Sequence, residues 1–163
     1  MILPLSKLYS GPRKKRNGFT LLELLIVVAI IAILTSIGIF ALRNAQRNAR
    51  DSKRQQDLNQ LKVSLEQYFE TTIPHQYPSS TAGKINCGGA LDWGTSPFTC
   101  NNKTYMKQLP NDPVGGRNYC YDSTGSTFSL YTNVENLRTP GILSPAVACN
   151  GSTTYNYRVQ GEK

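Results

Sequence analysis

The reading of the chain turns on one stretch: Lys14-Lys15-Arg16-Asn17-Gly18-Phe19-Thr20-Leu21-Leu22-Glu23-Leu24-Leu25-Ile26-Val27-Val28-Ala29-Ile30-Ile31-Ala32-Ile33-Leu34. From Phe19 to Leu42 there are about 24 mostly apolar residues, which at 1.5 Å rise per residue suffices to cross a hydrocarbon core of roughly 30 Å. Glu23 is the single ionisable residue in that run. A carboxylate in a spanning helix costs on the order of 2.5–3.5 kcal/mol on insertion scales, so an acid there points to a function. A secretory signal peptide also joins a basic region to an apolar one, but its apolar region normally runs about 7–15 residues and ends in a small-residue cleavage site. This run is longer and has no such site cleanly at its end.

The segment Lys15-Arg16-Asn17-Gly18-Phe19-Thr20-Leu21-Leu22-Glu23-Leu24-Leu25-Ile26-Val27-Val28-Ala29-Ile30-Ile31 resembles the processing signal of type IV pilins and of the pseudopilins of type II secretion systems. The resemblance implies that a prepilin peptidase cuts after Gly18 and methylates the new amino terminus at Phe19. It also implies that Glu23, five residues into the mature chain, is needed for filament assembly. Many members of that family carry a helix-kinking Pro inside the apolar segment, whereas this chain has none between Pro12 and Pro74.

Beyond the apolar run the helical pattern continues. No Gly or Pro occurs from Arg43 to Glu70, and Leu58, Leu61, Leu65 and Tyr68 recur at spacings of three and four, with Phe69 beside them. This is one face of an amphipathic helix. Pro74 and Pro78 mark the exit. Arg43, Arg47, Arg50 and Arg54 share a face between the two halves. The spacing fits a solvated face or a headgroup-level anchor, or else salt bridges to acidic residues of neighbouring subunits. Capture of DNA has little support, because no aromatics interleave with the cations. The formal charge of +8 includes Lys7, Arg13, Lys14, Lys15 and Arg16 ahead of Phe19, and removing them leaves about +3. A basic localisation patch at Arg13-Lys14-Lys15-Arg16 is disfavoured because the apolar run begins three residues later.

After Pro78 the composition turns to Gly, Ser, Thr, Asn, Pro and Tyr. Residues 79–118 read mostly as loop. Residues 118–122 and 127–135 read as strands joined by Ser123-Thr124-Gly125-Ser126, with Phe128, Leu130, Thr132 and Val134 on the face that covers the helix. Residues 153–159 read as a third strand, with Tyr155, Tyr157 and Val159 on one face. The organisation expected is a leader over 1–18, a transmembrane or filament-core helix over 19–42, its amphipathic continuation over 43–73, and a β-rich head over 74–163. The fold class is α+β, a long helix packed on a small antiparallel sheet.

Leu109-Pro110-Asn111-Asp112-Pro113, followed by Gly115-Gly116 and Tyr119-Cys120-Tyr121, is similar to the turn that precedes the sheet in major pseudopilins. That family's acidic calcium loop should follow, but Asp122 and Glu135 stand apart in sequence and no run of oxygen ligands accompanies them. No metal or other cofactor is expected. The four cysteines, Cys87, Cys100, Cys120 and Cys149, lack the close spacing of a zinc or redox motif, and their even number in a Gly-rich head points to disulfides. Three connectivities are open. Cys87–Cys100 with Cys120–Cys149 is preferred, because sequential pairs close local loops and fasten the C-terminal segment to the sheet.

His75, the only histidine, reads as a surface loop residue, and no catalytic constellation emerges. The triplets Asn102-Lys103-Thr104 and Asn150-Gly151-Ser152 match the glycosylation pattern, which is common by chance. The expectation is a non-enzymatic structural subunit of a type IV pilus or a type II secretion-like pseudopilus. Its partners would be further copies or other pilins in a filament, and the prepilin peptidase. Its place would be the inner membrane before assembly, with the head extracytoplasmic, then a surface or periplasm-spanning filament. The competing reading is a signal-anchored extracytoplasmic binding domain that does not polymerise.

Overall fold

The computed structural model describes residues 18–149 and 153–162. The basic leader up to Asn17 and the Asn150-Gly151-Ser152 triplet lie outside the described residues. One helix, α1 (Leu21–Thr71), precedes eight strands: β1 (Ser79–Thr81), β2 (Lys84–Asn86), β3 (Phe98–Cys100), β4 (Lys103–Met106), β5 (Cys120–Ser123), β6 (Thr127–Thr132), β7 (Ile142–Cys149) and β8 (Thr153–Glu162). This is the long-helix, antiparallel α+β class expected from the sequence. Two units divide the chain, one ending at Ala41 and the other beginning at Leu42.

In the first unit the helix runs through Gly38 without interruption. The hydroxyls of Thr35 and Ser36 donate back to the carbonyls of Ile31 and Ile33, both at 2.7 Å, so neither competes with the helix for a partner outside it. In the second unit the helix buries Asp51, Arg54, Asp57, Leu58, Leu61, Ser64 and Leu65. The apolar stripe is therefore preceded by a buried charged one, which the hydrophobic pattern does not announce. The helix closes with the Thr72 hydroxyl on the Tyr68 carbonyl at 2.9 Å, and Pro74 prevents its continuation.

Leu58, Leu61 and Leu65 are fully buried against Ile85, Phe98, Leu109, Tyr119, Tyr121, Phe128 and Leu130. Burial of each of these leucines contributes about 1.5–3 kcal/mol. The principal sheet has the order β5-β6-β8-β7, all antiparallel. Phe128, Leu130, Thr132 and Val134 are buried, as their alternation predicts. Gly161 lies opposite Phe128, and a β-carbon there would come within 2.3 Å of the ring, so only glycine allows this approach.

Residues 79–118 are mostly loop, as the composition implies, but short strands interrupt them. They hold two hairpins, β1-β2 and β3-β4. Their two-residue turns, Ala82-Gly83 and Asn101-Asn102, place both central residues at positive φ, the geometry that suits a tight hairpin. The flanking strands are three or four polar-rich residues long, too short to display alternation. Strand β7 also departs from the sequence reading. It carries Pro145, which an edge position tolerates, and its register shifts between Ile142 and Val147. Tyr155 leaves the face it was expected to share with Tyr157 and Val159. It pairs with Val147, beyond the last β6 partner at Tyr157, and joins a small cluster with Tyr131, Cys120 and Cys149.

Candidate functional site

Two constructions stand out, one in each unit. At the start of α1 the Thr20 hydroxyl accepts from the Glu23 N–H at 3.2 Å, while Glu23 Oε2 accepts from the Thr20 N–H at 3.4 Å. The reciprocal pair is a capping box that satisfies free donors of the first turn. Its bonds lie at or beyond the long end of hydrogen-bond geometry, so the carboxylate is loosely held. Phe19 is 85% exposed, and every apolar side chain from Leu21 to Ala41 is exposed too. The helix is long and apolar enough to cross a membrane. An uncovered apolar surface of this length requires lipid or other helices around it.

In the second unit the Arg54 guanidinium is fully buried. It donates to both Asp112 oxygens, from Nε at 2.7 Å and Nη2 at 2.8 Å, and from Nη1 to Asp51 at 2.7 Å and Glu135 at 3.0 Å. Arg50 grips Glu135 through Nε at 2.7 Å and Nη2 at 2.6 Å. Asp51 in turn accepts the backbone N–H groups of Glu135 and Asn136. The cluster thus holds both the 109–113 turn and the 133–136 loop against one helix face.

Burial disfavours the Arg54 cation, but its bonds to Asp112, Glu135 and Asp51 outweigh that and raise its pKa. The Arg50 hydrogen bonds, aided by Arg54 and opposed by partial burial, hold Glu135 down to about 2. Behind the cluster, burial pushes the Asp57 carboxyl up, although the Tyr119 hydroxyl donates to it at 2.7 Å. Burial likewise raises the Tyr119 phenol.

These contacts correct two sequence expectations. Arg43 and Arg47 remain exposed, but Arg50 and Arg54 are neither a solvated face nor bridges to another subunit: they pair within the chain. Glu135, which stands apart in sequence, is the acceptor shared by both. Asp122 accepts from the Ser80 hydroxyl at 3.0 Å. Cys87 is bonded to Cys100, and Cys120 to Cys149. His75 is exposed and its Nδ1 meets the Phe69 carbonyl at 2.9 Å. Gly18 is exposed just before the helix.

The Arg54 cluster was detectable only in part. The spacing Asp51-x-x-Arg54 offers a helical ion pair, and the Asp of the Leu109–Pro113 turn offers an acceptor. Nothing local joins Arg54 to partners 58 and 81 residues away. Among the described residues no group of three or more His, Cys, Asp or Glu could hold a metal ion.

Residues 13–39 match the model of the prokaryotic N-terminal methylation motif. The chain is 32% identical to the type II secretion system core protein G of Escherichia coli over 101 residues, covering 62% of this chain and 68% of that one. It is 32% identical to the core protein G of Vibrio cholerae over 122 residues, 73% of this chain and 80% of the relative. A shorter match, 39% over 54 residues, covers 33% of this chain and 34% of a Dichelobacter nodosus protein named "Probable minor fimbrial protein". No solved structure matches the chain. With the methylation motif at the head of an exposed apolar helix and relatives covered over more than two thirds of their length, the chain belongs to the type IV pilin and type II secretion pseudopilin family.

Proposed function

We propose that this chain is a non-enzymatic subunit of a type II secretion-like pseudopilus, made as a membrane-anchored precursor and polymerised through residues 19–42. The observation that carries the reading is the exposed apolar first half of α1, Leu21 to Ala41, with one carboxylate, Glu23, in its first turn. Such a surface is stable in a bilayer and, after extraction, among like helices of a filament core. The prepilin peptidase cuts after Gly18 and the new amine of Phe19 is methylated. In the filament Glu23 faces the methylated, still cationic amine of Phe19 on the same or a neighbouring subunit. At about 4 Å and an effective dielectric near 20 that pair is worth on the order of 4 kcal/mol before desolvation.

The relatives named as secretion core proteins support the pseudopilus over the pilus, since they match along most of the chain and the fimbrial relative over a third of it. Peptide mass spectrometry of membrane and sheared-filament fractions tests the processing. The expected result is an N-terminal peptide beginning at methylated Phe19 in both fractions. Intact Met1 alone, or a cut beyond Leu34, would rule it out. A methylated chain that never enters filaments would favour the non-polymerising anchored domain.

A further inference from the structure

Where α1 passes the 133–138 loop, Asn44, Arg47 and Asn48 face Asn136, Leu137 and Arg138 across an open polar cleft of about 390 Å³. The cleft is built rather than incidental. Asp51 accepts the N–H groups of Glu135 and Asn136, the Asn136 amide donates to Asn48 Oδ1 at 3.0 Å, and the Arg138 N–H donates to Asn136 Oδ1 at 3.0 Å. Glu135 also lines it, but its charge is taken up by Arg50 and Arg54. Arg47 and Arg138 are exposed, and among the described residues neither has an ion-pair partner. Two guanidinium groups and three side-chain amides therefore converge on a space with no opposing free carboxylate.

We propose that this cleft clasps the phosphodiester of an anionic phospholipid in the extracytoplasmic leaflet while the subunit waits in the membrane. Arginine forks match the geometry of phosphate oxygens, and the neighbouring amides suit the glycerol hydroxyls. Arg47 comes five residues after Leu42, about 7.5 Å along a helix, and the headgroup layer on one side of a bilayer is about 5–7 Å thick. Leu137, 75% exposed beside Arg138, gives the rim the apolar-beside-basic character of an interfacial anchor. Single-stranded nucleic acid shares the phosphate but is disfavoured, because among the described residues no aromatic side chain lines the cleft to stack on a base. The proposal rests on the membrane-anchored precursor reading and adds a lipid preference to it.

The test uses the full-length protein offered to vesicles of phosphatidylcholine alone and with phosphatidylglycerol, followed by native mass spectrometry of the lipid it retains. Wild type should retain phosphatidylglycerol over phosphatidylcholine. Arg47→Gln and Arg138→Gln should each weaken that preference about fivefold, and the double variant about thirtyfold. Arg117→Gln, at another exposed arginine, should leave it unchanged. Both cleft arginines are exposed and unpaired, so the variants should keep the wild-type melting temperature. Insertion into both vesicles with no lipid preference, or a preference that survives the double substitution, would overturn the clasp while leaving the anchor standing. Failure to enter either vesicle would overturn both. Retention of a single-stranded oligonucleotide, lost with the same substitutions and without any lipid preference, would assign the cleft to nucleic acid and overturn the proposal.

Discussion

The two halves of α1 share a backbone and differ in everything around it. From Leu21 to Ala41 every side chain is exposed, and among the described residues the only side-chain bonds are the Thr20–Glu23 cap and two hydroxyls turned back on the helix. From Asp51 to Leu65 seven side chains are buried, three of them charged. Most of a helix's stability comes from what packs on its faces rather than from its own propensity, so each half needs a surrounding. The second half finds it within the chain, in the head. The first half must find it in lipid or in other subunits. Substitutions in the second half should therefore register as stability of the head, and substitutions in the first as insertion or assembly.

The sharpest break in that contrast is at Arg54. Arg54→Met would leave Asp112 and Asp51 buried without their cation, a loss of about 3–5 kcal/mol, read as a large drop in the melting temperature of the detergent-solubilised full chain. Arg47→Ala, two turns earlier and exposed, should stay within about 0.5 kcal/mol of wild type. Equal effects would deny that the cluster, rather than the arginine face as a whole, holds the head.

Leu61→Ala should cost about 2–5 kcal/mol in the same assay, because its site is fully buried and the surrounding rings cannot collapse completely. Leu25→Ala, 60% exposed, should leave head stability unmoved. A loss comparable to that of Leu61→Ala is expected from Cys120→Ser with Cys149→Ser. The bond closes a separation of 29 residues, for which the chain-entropy model gives about 3–4 kcal/mol. Labelling of these thiols in the unreduced protein would contradict the pairing.

The smallest expected effect is on pH. Glu135 is held at about 2, against an ordinary value of 4.5, so its contribution to stability is complete above the unfolded value and disappears as pH falls from about 4.5 through 2. Acid titration of the melting temperature should show that decline, and Glu135→Gln should flatten part of it. An unchanged slope in the variant would remove Glu135 from the clamp.

The same contrast explains how much could be read in advance. The first half was legible because its information is local: an apolar run interrupted by one acid, preceded by glycine and bases. The leucine stripe at 58, 61 and 65 was legible for a similar reason, since helical spacing alone reports it. The Arg54 cluster was not, because its partners come from a turn and a loop far along the chain. The β1-β2 and β3-β4 hairpins were hidden by brevity and by turns lacking the Asn-Gly signature, and β7 by a proline that its edge position accommodates. Glu23 was legible as a residue, but the cap it forms does not by itself say why a carboxylate should be required.

Glu23→Gln separates that requirement from the cap. Glutamine can still serve a capping box but cannot neutralise the amine of Phe19. The measurement is the yield of sheared filaments from cells whose only copy carries the substitution, alongside the N-terminal mass of the membrane-held chain and the melting temperature of its head. The expected outcome is normal processing to Phe19, an unchanged head and a filament yield reduced to little or nothing. Wild-type yield would reduce Glu23 to a helix cap.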